Sequence, residues 1–183
     1  MSKPLTPDHY SAEQVIALLR LEPLDQEGAY FRRVLESDLR IPAGALPAPL
    51  DGARRAYSAI YALITPEGFS AMHRLANDEI WAFLAGDALE QLRLFPDGRG
   101  EVVQLGPDLA SGQRLLDTAP ARCWQGTRLR SGGRWALFAN VLAPEFVWGD
   151  FELGDRAALS RQYPAFEREI AALTRAEPPR GKR

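Results

Sequence analysis

The sequence predicts a mainly β fold, an antiparallel sandwich or barrel with one helix near its N-terminus and short helices near its C-terminus. Three observations predict it. Short apolar runs recur between about residues 29 and 141, Gly/Pro turns separate them at close spacing, and no helical segments alternate with them as a parallel sheet would require. With 183 residues, 46% of them hydrophobic and 25% charged, the chain is long enough for one domain with a sizeable core. Residues 1–175 are read as that single domain and the basic, proline-bearing residues 176–183 as a disordered tail.

The elements follow in order. Ser11 and Gln14 have the spacing of a capping box, and Val15, Ile16, Leu18 and Leu19 then recur at helical spacing up to Pro23. This helix is expected to be an amphipathic lid or support. After a turn at residues 25–28, residues 29–35 read as a strand with Tyr30, Arg32 and Val34 on one face and Phe31, Arg33 and Leu35 on the other. An arginine on each face means that one face looks into a polar cavity or that the strand lies at an edge. Residues 40–53, rich in Pro, Gly and Ala, form a loop, and residues 56–64 a strand through the middle of a sheet. Residues 68–86 read as two strands folded about a polar corner at Ala76-Asn77-Asp78, which brings His73 and Glu79 side by side. Residues 89–95 and 101–105 form a hairpin, and further strands are expected at 113–116 and 134–141. Residues 151–155 open a helical stretch that Asp155 caps, and a second helix covers residues 165–173.

Charge and cysteine content exclude several classes. Lys and Arg total 22 against 24 Asp and Glu, and no long basic run occurs in the body, so nucleic acid is not an expected partner. The lone cysteine, Cys123, cannot form an intramolecular disulfide and suits a reducing compartment. The first nine residues have no apolar signal-peptide core, and no apolar run is long enough to span a bilayer. The expectation is a cytoplasmic protein with no membrane partner.

The segment from Gly68 to Gly86 resembles the first motif of the cupin superfamily: Gly68, His73, Glu79 and Gly86 stand at its landmarks, with Leu75 where a second His would be. Pro120-Ala-Arg122-Cys-Trp-Gln125 resembles the second motif, with Gln125 at the His place and Leu129 at the Asn place. A resemblance covering most of the chain is carried by Glu27-Gly-Ala-Tyr-Phe-Arg-Arg33, Ser58-Ala-Ile-Tyr61, Ser70-Ala-Met-His73, Asp78-Glu-Ile-Trp81, Leu105-Gly-Pro-Asp108, Trp124-Gln-Gly126 and Asp150-Phe-Glu-Leu153. Together these segments resemble a small cupin branch of bacteria, fungi and plants, similar in fold to sugar-nucleotide epimerases of the rhamnose pathway. The resemblance implies a jelly-roll barrel that forms a homodimer. Ala29, Val34, Ala82 and Arg122 depart from that branch, where Gly, Thr, His and Gly are usual.

The candidate site is His73 and Glu79, with Gln125 approaching from the second motif. Leu75 and Leu129 remove two of the four ligands usual in cupins, and an amide oxygen is a poor ligand for zinc, copper or nickel, so no tightly held metal is expected. Were a divalent ion bound, His73, Glu79 and Gln125 are the groups that would hold it. Without metal, an imidazole oriented by a carboxylate can remove a proton next to a carbonyl, which makes His73 a catalytic base and Glu79 its orienter. Epimerisation needs a second acid, for which Tyr30 and Tyr61 are available. Trp81 and Phe83 share the face of Glu79 and either line a ligand pocket or fill the core. Arg32 binds a carboxylate or phosphate, or forms a structural ion pair. These features predict isomerase- or epimerase-like proton transfer on a small polar, carbohydrate-derived molecule. The alternative is a non-catalytic small-molecule binding protein whose metal site has degenerated.

Overall fold

The computed structural model describes residues 3–175. It consists of helix α1 (Ala12–Leu19), thirteen strands, and helices α2 (Arg156–Gln162) and α3 (Glu167–Ala172). The strands are β1 (Glu22–Pro23), β2 (Tyr30–Glu36), β3 (Arg40–Ile41), β4 (Arg54–Arg55), β5 (Ser58–Ile64), β6 (Ser70–Leu75) and β7 (Glu79–Gly86), followed by β8 (Leu89–Leu94), β9 (Gly100–Leu105), β10 (Leu116–Ala119), β11 (Trp124–Leu129), β12 (Ala136–Leu142) and β13 (Phe151–Leu153). A six-stranded antiparallel sheet in the order β1-β2-β5-β12-β7-β10 faces a five-stranded one in the order β13-β6-β11-β8-β9, with β3-β4 pairing apart from both. Among the described residues no helix is long and apolar enough to cross a membrane. The tail expected at 176–183 lies outside the described residues.

Three apolar layers hold the fold. Between the sheets, Ile64, Trp81, Leu89, Leu105, Leu129 and Phe138 form the central core. Outside the five-stranded sheet, Met72, Leu92, Leu94 and Trp124 pack against Leu159, Tyr163, Ile170 and Leu173 of the C-terminal segment. Outside the six-stranded sheet, Val15, Ile16, Leu19 and Leu21 cover Leu63, Trp135 and Leu137. Each fully buried Leu, Ile or Val removes enough apolar area from water to contribute roughly 1.5–3 kcal/mol. Helix α1 is therefore a support on the outer sheet face and not a lid. It begins with both reciprocal bonds of the capping box between Ser11 and Gln14.

Several expectations are refined. The hairpin of β8 and β9 is present, and β5 runs between β2 and β12 as expected. The leucines of β8 alternate imperfectly because both of its faces are buried: Leu92 and Leu94 point to the C-terminal helices, while Gln91 and Arg93 share the inner face with Leu89. The strand expected at 113–116 instead lies at 116–119, after a short helical turn at Leu109–Ser111. Phe151–Leu153 is not helical but pairs with β6, and Asp155 then caps α2 as expected. Strands β6 and β7 do not pair with each other. The corner at 76–78 carries the chain from one sheet to the other, so His73 and Glu79 meet across the barrel interior.

Candidate functional site

His73 projects from β6 into the barrel and is only 2% exposed. Its Nδ1–H donates to the Ala71 carbonyl at 2.8 Å, an acceptor that fixes this nitrogen as the protonated one. Nε2 then faces Glu79 Oε2 at 3.7 Å, while Glu27 Oε1 stands 3.9 Å from Nδ1. The imidazole is stacked on Phe151 at 5.2 Å between ring centres. Burial pushes the imidazole pKa down, but the facing carboxylates of Glu27 and Glu79 outweigh it and raise the value to about 9. His73 is therefore an imidazolium at neutral pH, which reverses the sequence expectation of a free base.

Glu79 is held from the other side. Gln125 Nε2 donates to its Oε2 at 2.5 Å and Trp81 Nε1 at 3.2 Å. The direction of these bonds is set further along the barrel. Arg93 can only donate, and its Nε bonds Gln91 Oε1 at 2.7 Å. Gln91 must then offer Nε2, which reaches Thr127 Oγ1 at 3.0 Å and Gln125 Oε1 at 3.4 Å. Trp81 Nε1 also donates to Gln125 Oε1, at 3.0 Å. The amide oxygen of Gln125 is thus turned to Trp81 and Gln91, and its NH2 group is the part that meets Glu79.

Glu27 was missed by the sequence reading. It sits on the turn between β1 and β2, where Gly28 adopts a φ of +109° and a Cβ would lie 2.8 Å from the Phe69 carbonyl oxygen, so the turn needs glycine. The Glu27 carbonyl accepts from Ala71 N at 3.0 Å and from Arg175 NH2 at 3.0 Å, which ties this turn to β6. Its side-chain Oε1 accepts a short hydrogen bond from Ser70 Oγ. Burial pushes the Glu27 carboxyl above the usual carboxylate range, with His73 opposing that shift and the charge of Glu79 adding to it.

His73, Glu27 and Glu79 line a cavity of about 260 Å³. Its walls are largely apolar, with Phe31 and Ile60 from one sheet and Phe146, Trp148 and Phe151 from the segment around β13. Arg33, Asn140 and Ser58, whose Oγ accepts from Phe146 N at 3.0 Å, supply the other polar groups. Asn140 is 4% exposed and its Nδ2 has no hydrogen-bond partner among the described residues. Register explains the arrangement: Arg33 pairs with Ile60, Ile60 with Asn140 and Asn140 with Trp81, a row of inward positions across four strands. The apolar segment is clamped over the cavity by Arg54 NH1 on Asp150 Oδ2 at 2.7 Å and by Arg55 N on Glu145 Oε1 at 2.6 Å.

The expected site residues are only partly brought together. His73, Glu79, Gln125 and Trp81 form one hydrogen-bonded and ion-paired group. Phe83 packs deeper, against the central core, and does not line the cavity. Tyr30 and Tyr61 belong to the layer under α1, on the outer face of the six-stranded sheet, where they cannot serve as acids for a substrate beside His73. Arg32 shares that outward parity; Arg33, which follows Phe31 at period two, is the arginine at the cavity. Leu75 lines the cavity and Leu129 lies in the core, so both replacements of usual cupin ligands put methyl groups where a metal would need donors. With the Gln125 oxygen also turned away, one imidazole nitrogen and the Glu79 carboxylate are left on that side, a donor set that does not fit a tightly bound divalent ion. Arg122 keeps a φ of +63°, the left-handed conformation for which the usual glycine at that turn is suited.

The family model described as Cupin superfamily (DUF985) matches residues 13–154. A structure from Shewanella oneidensis is 32% identical, with a TM-score of 0.80 over 92% of this chain and 99% of that one. A hypothetical protein from Leishmania major is 29% identical, with a TM-score of 0.79 over 90% of this chain and 99% of its own. A cupin 2 domain-containing protein from Halorhodospira halophila is 19% identical at a TM-score of 0.52, covering 82% of this chain and 85% of that one, a likeness of fold alone. No curated protein matches this sequence.

Proposed function

We propose, for a chain that belongs to the DUF985 family of the cupin superfamily, that the cavity binds a small molecule and moves a proton on it without a metal, in the manner of an isomerase or epimerase. The observation that carries this reading is a buried histidine between two carboxylates at the wall of a cavity. A cation held between Glu27 and Glu79 can stabilise negative charge that develops on a substrate, and a carboxylate beside it can exchange a proton with carbon. The arrangement gives His73 the part of electrostatic stabiliser and proton donor in place of base. A cavity of about 260 Å³ suits a metabolite of modest size. The predominance of Phe31, Phe146, Trp148 and Phe151 in the wall favours a second reading, a binding protein without turnover whose ligand has an apolar body.

Incubating the protein with a metabolite mixture in D2O at pH 7 separates the two. The expected result is one compound class whose C–H signal is lost by exchange, with exchange reduced about 100-fold or more in His73→Gln. Unchanged exchange in that variant removes His73 from the chemistry, and retention of a ligand with no exchange establishes the second reading.

A further inference from the structure

We infer that Glu27 is the carboxylate that takes the substrate proton, and that the substrate is a small enolisable carbonyl compound bearing an anionic group, bound with its anion toward Arg33 and its carbonyl oxygen toward Asn140. This deepens the proton-transfer reading of the same cavity and rests on it. The two carboxylates beside His73 are held very differently. Glu79 is fixed by donors from Gln125 and Trp81, whose direction is set by Arg93 through Gln91. Both of these bonds fall on Oε2, the oxygen that faces His73 Nε2 at 3.7 Å, so this carboxylate orients and charges its neighbour. Glu27 lines the same cavity, and its one side-chain hydrogen bond among the described residues, from Ser70, falls on Oε1. Burial also pushes its carboxyl upward, which suits a group that must gain and return a proton.

The remaining polar groups match an enolisable acid. Asn140 lines the cavity, and its buried Nδ2 has no acceptor among the described residues; rotation of the side-chain amide brings that donor to a carbonyl oxygen in the cavity. Arg33 is half exposed and supplies the cationic group that reaches the cavity from β2. Its NH1 pairs with Glu36 Oε1 at 2.8 Å. In a guanidinium this leaves further N–H groups for a carboxylate. The aromatic wall takes an apolar or aromatic body. In the step itself, the C–H bond next to the carbonyl breaks, its proton goes to Glu27, and its electron pair moves into the C–C–O system to give an enolate. The Asn140 N–H and the charge of His73 stabilise the enolate oxygen, and Glu27 returns the proton to carbon. In D2O the Glu27 proton exchanges with solvent first, so the carbon regains deuterium and nothing else is consumed.

Phenylpyruvate, an enolisable 2-oxo acid with an aromatic body, is the probe. Its loss of benzylic C–H signal in D2O is followed by proton NMR at pH 7, with binding measured by calorimetry and folding by thermal melts. The wild-type protein is expected to accelerate exchange. Glu27→Gln is expected to bind the probe within about threefold of wild type while exchanging it at least about 100-fold more slowly, and Arg33→Met to weaken binding about tenfold or more. Exchange in Glu27→Gln at the wild-type rate overturns the role of Glu27, and wild-type protein that neither binds nor exchanges the probe overturns the substrate class. Loss of exchange in Glu27→Gln with retention in His73→Gln keeps Glu27 and removes the His73-centred reading on which it was built. Should Glu27→Gln fail to fold, Ser70→Ala serves instead. The titratable or charged groups facing Glu27 are His73, Glu79 and Arg175, and the Ser70 hydrogen bond favours the ionised carboxyl. Its removal is expected to move the acid limb of the pH–rate profile to higher pH, and an unmoved limb overturns the assignment.

Discussion

Raising the pH from 6.5 to 9 is expected to cost the protein about 3 kcal/mol of folding stability, and His73→Gln is expected to reduce that dependence sharply. The imidazole pKa lies at about 9 in the folded protein against 6.5 for an unperturbed histidine. The folded state therefore holds a proton that the unfolded chain releases within this window. The stabilisation is fully present below pH 6.5, declines through the window and is gone above pH 9. Glu27 acts in the same direction at lower pH, because its raised pKa makes the folded state hold that proton longer too. Urea denaturation at pH 6, 7.5 and 9.5 measures the effect. His73→Gln should lose the part of the pH dependence that the imidazole carries and be less stable than wild type at pH 6, since Glu27 and Glu79 then face each other without the cation between them. A wild-type protein whose stability does not fall between pH 6.5 and 9 contradicts the imidazolium assignment.

The second large effect concerns Arg54. Its side chain is 5% exposed, its Nε donates to the Asp51 carbonyl at 2.7 Å, and its NH1 meets Asp150, whose side chain is 8% exposed. Replacing it with Met leaves the Asp150 carboxylate buried without a counter-charge, which is expected to cost about 3–5 kcal/mol. The functional consequence follows from position. Asp150 closes the short turn that carries Trp148 and precedes Phe151, and both residues wall the cavity. The Arg54→Met protein should therefore melt earlier and also hold cavity ligands less tightly. The double variant Arg54→Met/Asp150→Leu, which buries neither charge, should recover much of the stability, and a double-mutant cycle measures how much of the loss belongs to the pair. A single variant as stable as wild type would show that this clamp does not secure the cavity wall.

What the sequence made legible follows from where local rules decide the outcome. The capping box of α1 and the β8–β9 hairpin rest on spacing along one or two elements, while the approach of Gln125 to His73 and Glu79 was legible only through the resemblance of two motifs. The polar lining of the barrel was illegible because an inward polar residue alternates like a solvent-facing one. Gln91 and Arg93 look like the wet face of a half-exposed strand, yet both are buried because that face is the barrel interior, the C-terminal helices covering the leucines of the other. The choice between Arg32 and Arg33 turned on parity. Phe31 on the apolar face was the available signal, and it places Arg33 inward. Glu27 lies on a turn and reaches His73 only because the β1–β2 connection is hydrogen-bonded to β6 and held by Arg175, contacts between segments more than forty residues apart. Asn140 had no local signature, since its position beside Trp81 depends on the pairing of β12 with β7.

A crystal structure of untagged protein grown with a metabolite mixture tests the central claim most directly. The predicted result is an organic molecule in the cavity beside His73, with a carbon–hydrogen position within reach of Glu27 and an oxygen on Asn140. A spherical, fully coordinated peak between His73, Glu79 and Gln125, or a cavity filled only by ordered water in the presence of the mixture, would contradict it.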